Sequence, residues 1–312
     1  MELYLIILII LASILLLFII FWLACGLYAY NILMICKKRP NIDEIEEDSH
    51  WFVFKEELLK RRKEYQEYEK NQEELTLKNK RGINLKGYLI KQDKSERPKL
   101  CIFVHGYKSC HEVEILHVNS WMLKKGYDTL LIDQEGLGNS EGKRMGLGIL
   151  DSENLLEWID YMNNIYNHNV DIILAGVSMG ANTVLLDANL ELENVKCIIA
   201  DCGYTSCYDE FMYLLKGNKL IVNCFRTFLK LIWHRDIKTS TLKTVANSKY
   251  PILFIHGNLD RFVPTFFSKM NYDACTSKKD LLLIDCALHA ESNLVDTEKY
   301  EKKIDSFLKE IF

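Results

Sequence analysis

The stretch LAGVSMGAN at residues 174–182 places one serine between two glycines, directly after an apolar run. On a strand-to-helix turn, the small residues Gly176 and Gly180 would let the backbone turn sharply and expose the hydroxyl of Ser178. The N-terminus of the following helix would then lie behind the serine. Taken alone, this G-x-S-x-G segment fits a reactive serine, but it also fits a small residue where a helix packs tightly on a strand.

The surrounding pattern predicts a mostly parallel sheet. Short apolar runs, rich in Ile, Val, Leu or Phe and lacking alternation, are typical of strands buried on both faces. Helical stretches separate these runs, which favours a doubly wound α/β domain. An alternating segment at 73–90 precedes them and predicts a β-hairpin. The six apolar runs are KLCIFVHG, YDTLLID, VDIILAGVS, VKCIIADC, YPILFIHG and DLLLIDCALH.

Two further chemically suggestive residues follow predicted strands. Asp260 comes after the run ILFIHGNL, and His289 comes after LLLIDCAL. Because ligands bind at the carboxyl ends of the strands in open α/β sheets, we expect both residues to lie near Ser178. The chain order Ser, Asp, His then gives three roles: Ser178 attacks, His289 takes its proton, and Asp260 orients the imidazole and stabilises its charged form.

The turn HGY at residues 105–107 ends the first of these strands. Acyl transfer needs two backbone N–H donors directed at the developing oxyanion, and the amides of Tyr107 and Met179 are the predicted donors. His105 and Gly106 are interpreted as the supporting turn, with the His105 ring bonding loop backbone. His256 is interpreted in the same way.

As a set, the motifs HGY, DQEGLGNSEG, GVSMG, HGNLDRFVP and HAES resemble those of the α/β-hydrolase superfamily, near its bacterial serine aminopeptidase-like and esterase-like families. The resemblance covers residues 75–312 and implies the α/β-hydrolase fold and a Ser-Asp-His triad, with no metal or organic cofactor. One departure is Glu135, which stands where these families usually have arginine. It puts the local ion pairing, and the substrate charge preference, in question.

An apolar segment precedes this domain. Residues 3–36 contain no charged residue or histidine, and about 20 apolar residues suffice to cross a bilayer. Because the stretch is too long for a cleaved signal peptide and lacks a basic start, residues 1–36 are predicted to be a transmembrane anchor. The basic residues at 37–39 and the ten cysteines favour a cytoplasmic catalytic domain.

Two other segments have open interpretations. The charged segment 37–74 carries Trp51, Phe54, Leu58 and Leu59 at helical spacing. It predicts an amphipathic linker helix that is either solvated, which is the simpler interpretation, or laid on the domain or on the lipid surface. Residues 203–249 predict either a helical cap over the site or an ordinary pair of crossover helices.

Composition excludes some functions. The chain has 312 residues, with 39 basic and 43 acidic residues and a net charge of −4, and no basic stripe that would suit a nucleic acid. Cys202 and Cys207 lack the spacing of a zinc site. The predicted protein is a membrane-anchored serine hydrolase for an ester, thioester or small amide, with a small acyl substrate that the anchor and the aromatic insertion suggest is lipid-like. The alternatives are an acyltransferase with the same triad and a non-catalytic binding protein.

Overall fold

A single eight-stranded sheet forms the centre of the computed structural model, which describes residues 2–36, 50–117 and 121–312. The strand order is β1-β2-β4-β3-β5-β6-β7-β8. β2 is antiparallel to both β1 and β4, and all other neighbours are parallel. The predicted hairpin and all six predicted strands are confirmed. The strands are β1 (Glu73–Lys78), β2 (Asn84–Ile90), β3 (Lys99–Val104), β4 (Asp128–Ile132), β5 (Asp171–Val177), β6 (Val195–Asp201), β7 (Ile252–Gly257) and β8 (Lys279–Ile284).

Helices cover both faces of this sheet. Successive strand residues alternate between two hydrophobic cores; on β3, for example, Cys101 and Phe103 join one core, and Leu100 and Ile102 join the other. This arrangement explains why the predicted strands are apolar throughout. The α-helices are α1 (Glu2–Met34), α2 (Lys55–Glu69), α3 (His111–His117), α4 (Trp121–Lys124), α5 (Ile149–Ile165), α6 (Met179–Leu186), α7 (Cys207–Leu214), α8 (Lys219–Trp233), α9 (Thr241–Val245), α10 (Phe266–Ala274), α11 (Ser292–Val295) and α12 (Thr297–Lys309).

The segment between the apolar helix and the sheet is not a solvated linker where the structure describes it. A 3₁₀ turn at His50–Phe54 leads into α2, which buries Leu58 and Tyr65 in one of the two cores. Arg61 is also buried, and it donates to the Leu116 carbonyl and to Asn293. The solvated interpretation is therefore wrong for α2. Residues 37–49, which include the basic residues at 37–39, lie outside the described residues.

Helix α1 has two parts that differ in burial. Residues 3–21 are exposed on every side, whereas buried positions begin after Trp22 and recur at helical spacing, as Gly26, Tyr30 and Met34 show. This second part packs on α8. A Cβ atom on Gly26 would lie 2.5 Å from the Cβ of Phe228, so only glycine allows the two helices to approach this closely.

The segment 203–249 contributes helices to two places. α9 packs on α6 and α10, whereas α8 packs on α7 and α1. The contact between α7 and α8 includes the T-shaped ring pair Phe211 and Phe225, with centroids 5.4 Å apart. α1, α7 and α8 share a small hydrophobic core, which includes Tyr30, Phe211 and Phe225.

Candidate active site

Ser178 lies on a strained turn between β5 and α6. Its backbone has φ 55° and ψ −115°, a left-handed conformation that a serine adopts at a cost. The turn is held by the Ser178 amide, which donates to the Asp201 carbonyl at 2.8 Å. A Cβ atom on Gly180 would overlap the carbonyl oxygen of Val104, and one on Gly176 would overlap the carbonyl of Gly180. Both glycines are therefore needed for the close packing that positions the serine.

Ser178, His289 and Asp260 form one hydrogen-bonded row. His289 Nδ1 lies 2.7 Å from Asp260 Oδ2, and His289 Nε2 lies 2.9 Å from Ser178 Oγ. A carboxylate only accepts hydrogen bonds, so the ring proton belongs on Nδ1, and Nε2 accepts the serine hydroxyl. The three residues come from the ends of β5, β7 and β8, which the parallel sheet brings to one edge.

Asp260 is held by four donors. Its Oδ1 accepts from the amides of Phe262 and Val263, at 2.9 and 2.8 Å. Its Oδ2 faces His256 Nε2 at 3.2 Å as well as His289. Burial opposes ionisation, but the bonds from the two histidines outweigh it and lower the pKa of Asp260, which keeps the carboxylate charged.

His256 makes one contact more than its sequence pattern predicts. It bonds loop backbone as predicted, through Nε2 to the Val263 carbonyl at 2.8 Å, but the same nitrogen also reaches Asp260. Because a carbonyl only accepts, Nε2 carries the proton and Nδ1 accepts from Ser268, 2.7 Å away. His256 therefore fixes the position of Asp260 relative to the strand.

The turn after β3 lies beside Ser178. Gln134 N–H donates to His105 Nε2 at 3.0 Å, and His105 Nδ1 in turn donates to the Gly106 carbonyl at 2.9 Å. Burial lowers the pKa of His105, which favours the neutral ring that these bonds require. The Gly106 amide donates to Glu114 at 3.1 Å. Within this turn, the next amide along is that of Tyr107.

The loop that carries Glu135 has its own ion pair. Glu135 Oε2 lies 2.5 Å from Arg81, which comes from the turn between β1 and β2. The neighbouring Asp133 accepts from the His111 amide and ring at 3.0 and 2.9 Å. The charge of Glu135, the residue that departs from the family pattern, is therefore neutralised by Arg81. The loop keeps a structural role.

A cavity of about 820 Å³ opens at Ser178. Its walls are almost entirely apolar and come mainly from three places: α1 between Phe21 and Leu33, the α7–α8 segment, and the loop after β7. Tyr107 and Ser178 also line it. The lining residues are Phe21, Ala24, Cys25, Tyr28, Ala29, Ile32, Leu33, Tyr107, Leu147, Ser178, Tyr204, Cys207, Glu210, Phe211, Leu214, Leu215, Ile221, Phe262 and Val263.

Glu210 is the one ionisable carboxyl among the described residues that line this cavity. It is 6% exposed, and neither of its oxygens has a hydrogen-bond partner among the described residues. Burial, together with the negative charge of Asp260, raises its pKa to about 8. At neutral pH the group is therefore mostly the uncharged acid, a free hydrogen-bond donor in an apolar cavity.

This pKa makes stability depend on pH. Between the ordinary value near 4.5 and about 8, the folded chain keeps a proton that the unfolded chain releases, so stability falls as pH rises through that window. We expect Glu210→Gln to raise the free energy of unfolding by about 4 kcal/mol at pH 8. The gain should disappear at pH 4.5, as measured by urea unfolding in mild detergent.

The matched control is Glu191→Gln, because the Glu191 side chain is 87% exposed. That variant should match the wild-type protein at both pH values. An equal gain for Glu210→Gln at pH 4.5 and pH 8 would contradict the assigned pKa.

Among the described residues, one group combines a thiol, a carboxylate and an imidazole, which are side chains that can bind a metal ion. The ligand atoms of Cys202, Asp260 and His289 lie within 4.8 Å of one another. Asp260 and His289 are already bonded to each other, and burial raises the pKa of the Cys202 thiol well above its ordinary value. A thiol that stays protonated is a poor metal ligand, so the group does not fit a metal ion.

Comparison with known proteins agrees with this geometry. Residues 95–234, which include Ser178, match the family described as serine aminopeptidase, S33. The chain is 27% identical over 237 residues to the uncharacterized protein YqkD of Bacillus subtilis, covering 73% of this chain and 76% of YqkD.

Solved structures share the fold. Esterase Pf2001 of Pyrococcus furiosus superposes with a TM-score of 0.61 at 22% identity, over 77% of this chain and 90% of the esterase. Est1E of Butyrivibrio proteoclasticus, solved with ferulic acid bound, gives a TM-score of 0.59 at 23% identity, over 76% and 98% of the two chains. The protein has the α/β-hydrolase fold, and its residues 95–234 are similar to the serine aminopeptidase, S33, family.

Proposed function

We propose that this protein is a membrane-anchored serine hydrolase that cleaves an ester, thioester or small amide through an acyl-enzyme. The observation that carries the proposal is the hydrogen-bonded row of Ser178, His289 and Asp260, in which Ser178 lines an apolar cavity. The strained backbone of Ser178 supports it, because strain of this kind is concentrated at functional sites.

The reaction follows from the proton positions. His289 Nε2 accepts the proton of Ser178 as Oγ attacks the substrate carbonyl, and Asp260 stabilises the imidazolium that forms. The amides of Tyr107 and Met179 stabilise the oxyanion. The C–O, C–S or C–N bond then breaks as His289 protonates the leaving group. Water, deprotonated by the same histidine, releases the acid and restores Ser178.

Helix α1 is the proposed anchor. It is long and apolar enough to cross a membrane, by length and composition. Its residues 3–21 are exposed on all sides in the folded chain, where 18 apolar side chains in water would be unfavourable. The basic residues at 37–39 and the cysteines, of which seven are buried thiols, favour a cytoplasmic catalytic domain.

One experiment tests these statements together. Membranes from cells that produce the protein are treated with a fluorophosphonate probe, which reacts with activated serines. We expect one label per chain on a band of full length that stays with the membranes, and no label on Ser178→Ala. Protease added to intact cells should leave the labelled band uncut.

Each outcome has a separate meaning. Equal labelling of the wild-type protein and Ser178→Ala would overturn the nucleophile. A shortened, soluble labelled band would overturn the anchor, and digestion in intact cells would overturn the orientation.

A further inference from the structure

The apolar helix forms a wall of the catalytic cavity. Seven lining residues belong to α1, all within its last turns, between Phe21 and Leu33. Substrate bound at Ser178 would therefore contact the same helix that is proposed to cross the membrane. The sequence alone does not indicate this, because Ser178 is more than a hundred residues away along the chain.

The length of α1 places this wall at the membrane surface. Residues 3–21, which are exposed on all sides, span about 28 Å at the helical rise of about 1.5 Å per residue. The hydrocarbon layer of a bilayer is about 30 Å thick. With α1 as the proposed anchor, the cavity-lining part of the helix, which starts at Phe21, would begin where the hydrocarbon ends, and the cavity would adjoin the lipid.

The end of α1 is fixed to the catalytic loops by hydrogen bonds. The Tyr107 hydroxyl donates to the Leu33 carbonyl at 2.6 Å, and Lys108 Nζ donates to the Ile32 carbonyl at 3.2 Å. The Met145 amide donates to the Met34 carbonyl at 3.1 Å. Tyr107 and Lys108 belong to the turn beside Ser178, so the helix is held in register with the site.

Apolar side chains surround the cavity on the α7–α8 side and remain exposed. Leu214, Leu215 and Ile221 are 37%, 36% and 42% exposed, and Phe262 across the cavity is 44% exposed. Each of these residues lines the cavity. Large apolar side chains around a pocket that adjoins a transmembrane helix suit contact with lipid rather than water.

The lining selects against charged substrates. No lysine or arginine is among the described residues that line the cavity, so a phosphate group would find no cation there. The Glu210 carboxyl, buried and without a hydrogen-bond partner in the part of the chain that the structure describes, suits a hydroxyl or carbonyl group of a neutral molecule.

We propose that the substrate is an uncharged long-chain acyl ester dissolved in the bilayer, which enters sideways along α1, with its acyl chain against α1 and its carbonyl at Ser178. This rests on the proposed function. Ser178 Oγ bonds to the acyl carbon, the ester C–O bond breaks, and the alcohol leaves with the proton from His289. Water then releases the fatty acid.

The test compares chain lengths in a variant of the wall. Ala24 lines the cavity and is exposed, so tryptophan at this position fills the proposed chain path without disturbing a core. Hydrolysis of a 16-carbon monoacylglycerol in lipid nanodiscs is compared with that of p-nitrophenyl acetate. We expect Ala24→Trp to lower kcat/KM for the long ester at least tenfold more than for acetate.

The matched control is Leu27→Trp, because Leu27 is also exposed on α1, at 47%, and is not among the lining residues. It should leave both rates within twofold of wild type. A 16-carbon lysophosphatidic acid should be hydrolysed at least tenfold more slowly than the monoacylglycerol by the wild-type protein.

The results separate this inference from the proposed function. Hydrolysis of acetate without hydrolysis of the long ester would overturn the inference and leave the serine hydrolase intact. Equal losses for both esters in Ala24→Trp would also overturn it, and equal rates for the phosphate-bearing lipid would overturn the requirement for an uncharged substrate. Absence of hydrolysis of every ester, together with absence of probe labelling, would refute the hydrolase itself.

Discussion

Asp260→Asn is expected to lower kcat/KM for p-nitrophenyl butyrate by about 10⁴-fold while the protein remains folded. The amide oxygen of asparagine can still accept from the amides of Phe262 and Val263, which now bond Oδ1. Its NH₂ group would then face His289 Nδ1 and donate to it. His289 would have to carry its proton on Nε2, where it could no longer accept the proton of Ser178.

The measurement is initial rates over a range of ester concentrations, with circular dichroism to establish folding. Asp285→Asn is the matched control, since Asp285 is an exposed carboxylate on the loop after β8 that bonds Asn258 at 2.7 Å. Its activity should stay within twofold of wild type. A loss below tenfold in Asp260→Asn would mean that the row of three residues does not carry the reaction.

Gly180→Ala is expected to destabilise the fold by about 3 kcal/mol or more. Gly180 lies in α6, where helix propensity alone would make alanine more favourable by about 1 kcal/mol. The added Cβ, however, would overlap the carbonyl of Val104 and contact that of His105. Backbone atoms in the centre of the sheet cannot move aside, so the steric cost exceeds the gain in propensity.

Urea unfolding in mild detergent measures this effect. Gly126→Ala is the control, because Gly126 has φ +76° but no atom of the described residues lies within 4 Å of an added Cβ. It should cost only backbone strain, about 1 kcal/mol. A Gly180→Ala protein as stable as wild type would show that α6 can move away from β3. That result would contradict the requirement for close packing at the serine turn.

Much of the fold could be predicted because the signals are local. Each central strand is buried on both faces, so its sequence is apolar without alternation, and the run marks the strand. The turn at Ser178 was predictable for a similar reason, since its glycines are neighbours of the serine in sequence. The ends of adjacent parallel strands meet by topology, which is why Asp260 and His289 could be placed near Ser178.

The contacts that the sequence did not reveal join distant segments. Glu135 is paired by Arg81, Tyr107 bonds the carbonyl of Leu33, and His256 shares Asp260 with His289. Nothing in the local pattern of these segments distinguishes such pairs from solvated side chains or core residues. For α2, the apolar stripe was visible in the sequence, but its dense charge made a solvated helix the simpler interpretation, whereas the structure packs Leu58 on the domain.

The bonds between α1 and the serine turn bear on processing of the chain. Proteolytic removal of the first 36 residues would deprive Tyr107 of its acceptor, and the side of α8 that packs on Gly26 and Tyr30 would face water. The cavity would lose the wall that α1 forms and would become an open groove. The C-terminal turns of α1 are thus part of the architecture of the site, and a chain shortened at residue 36 would have a differently shaped cavity.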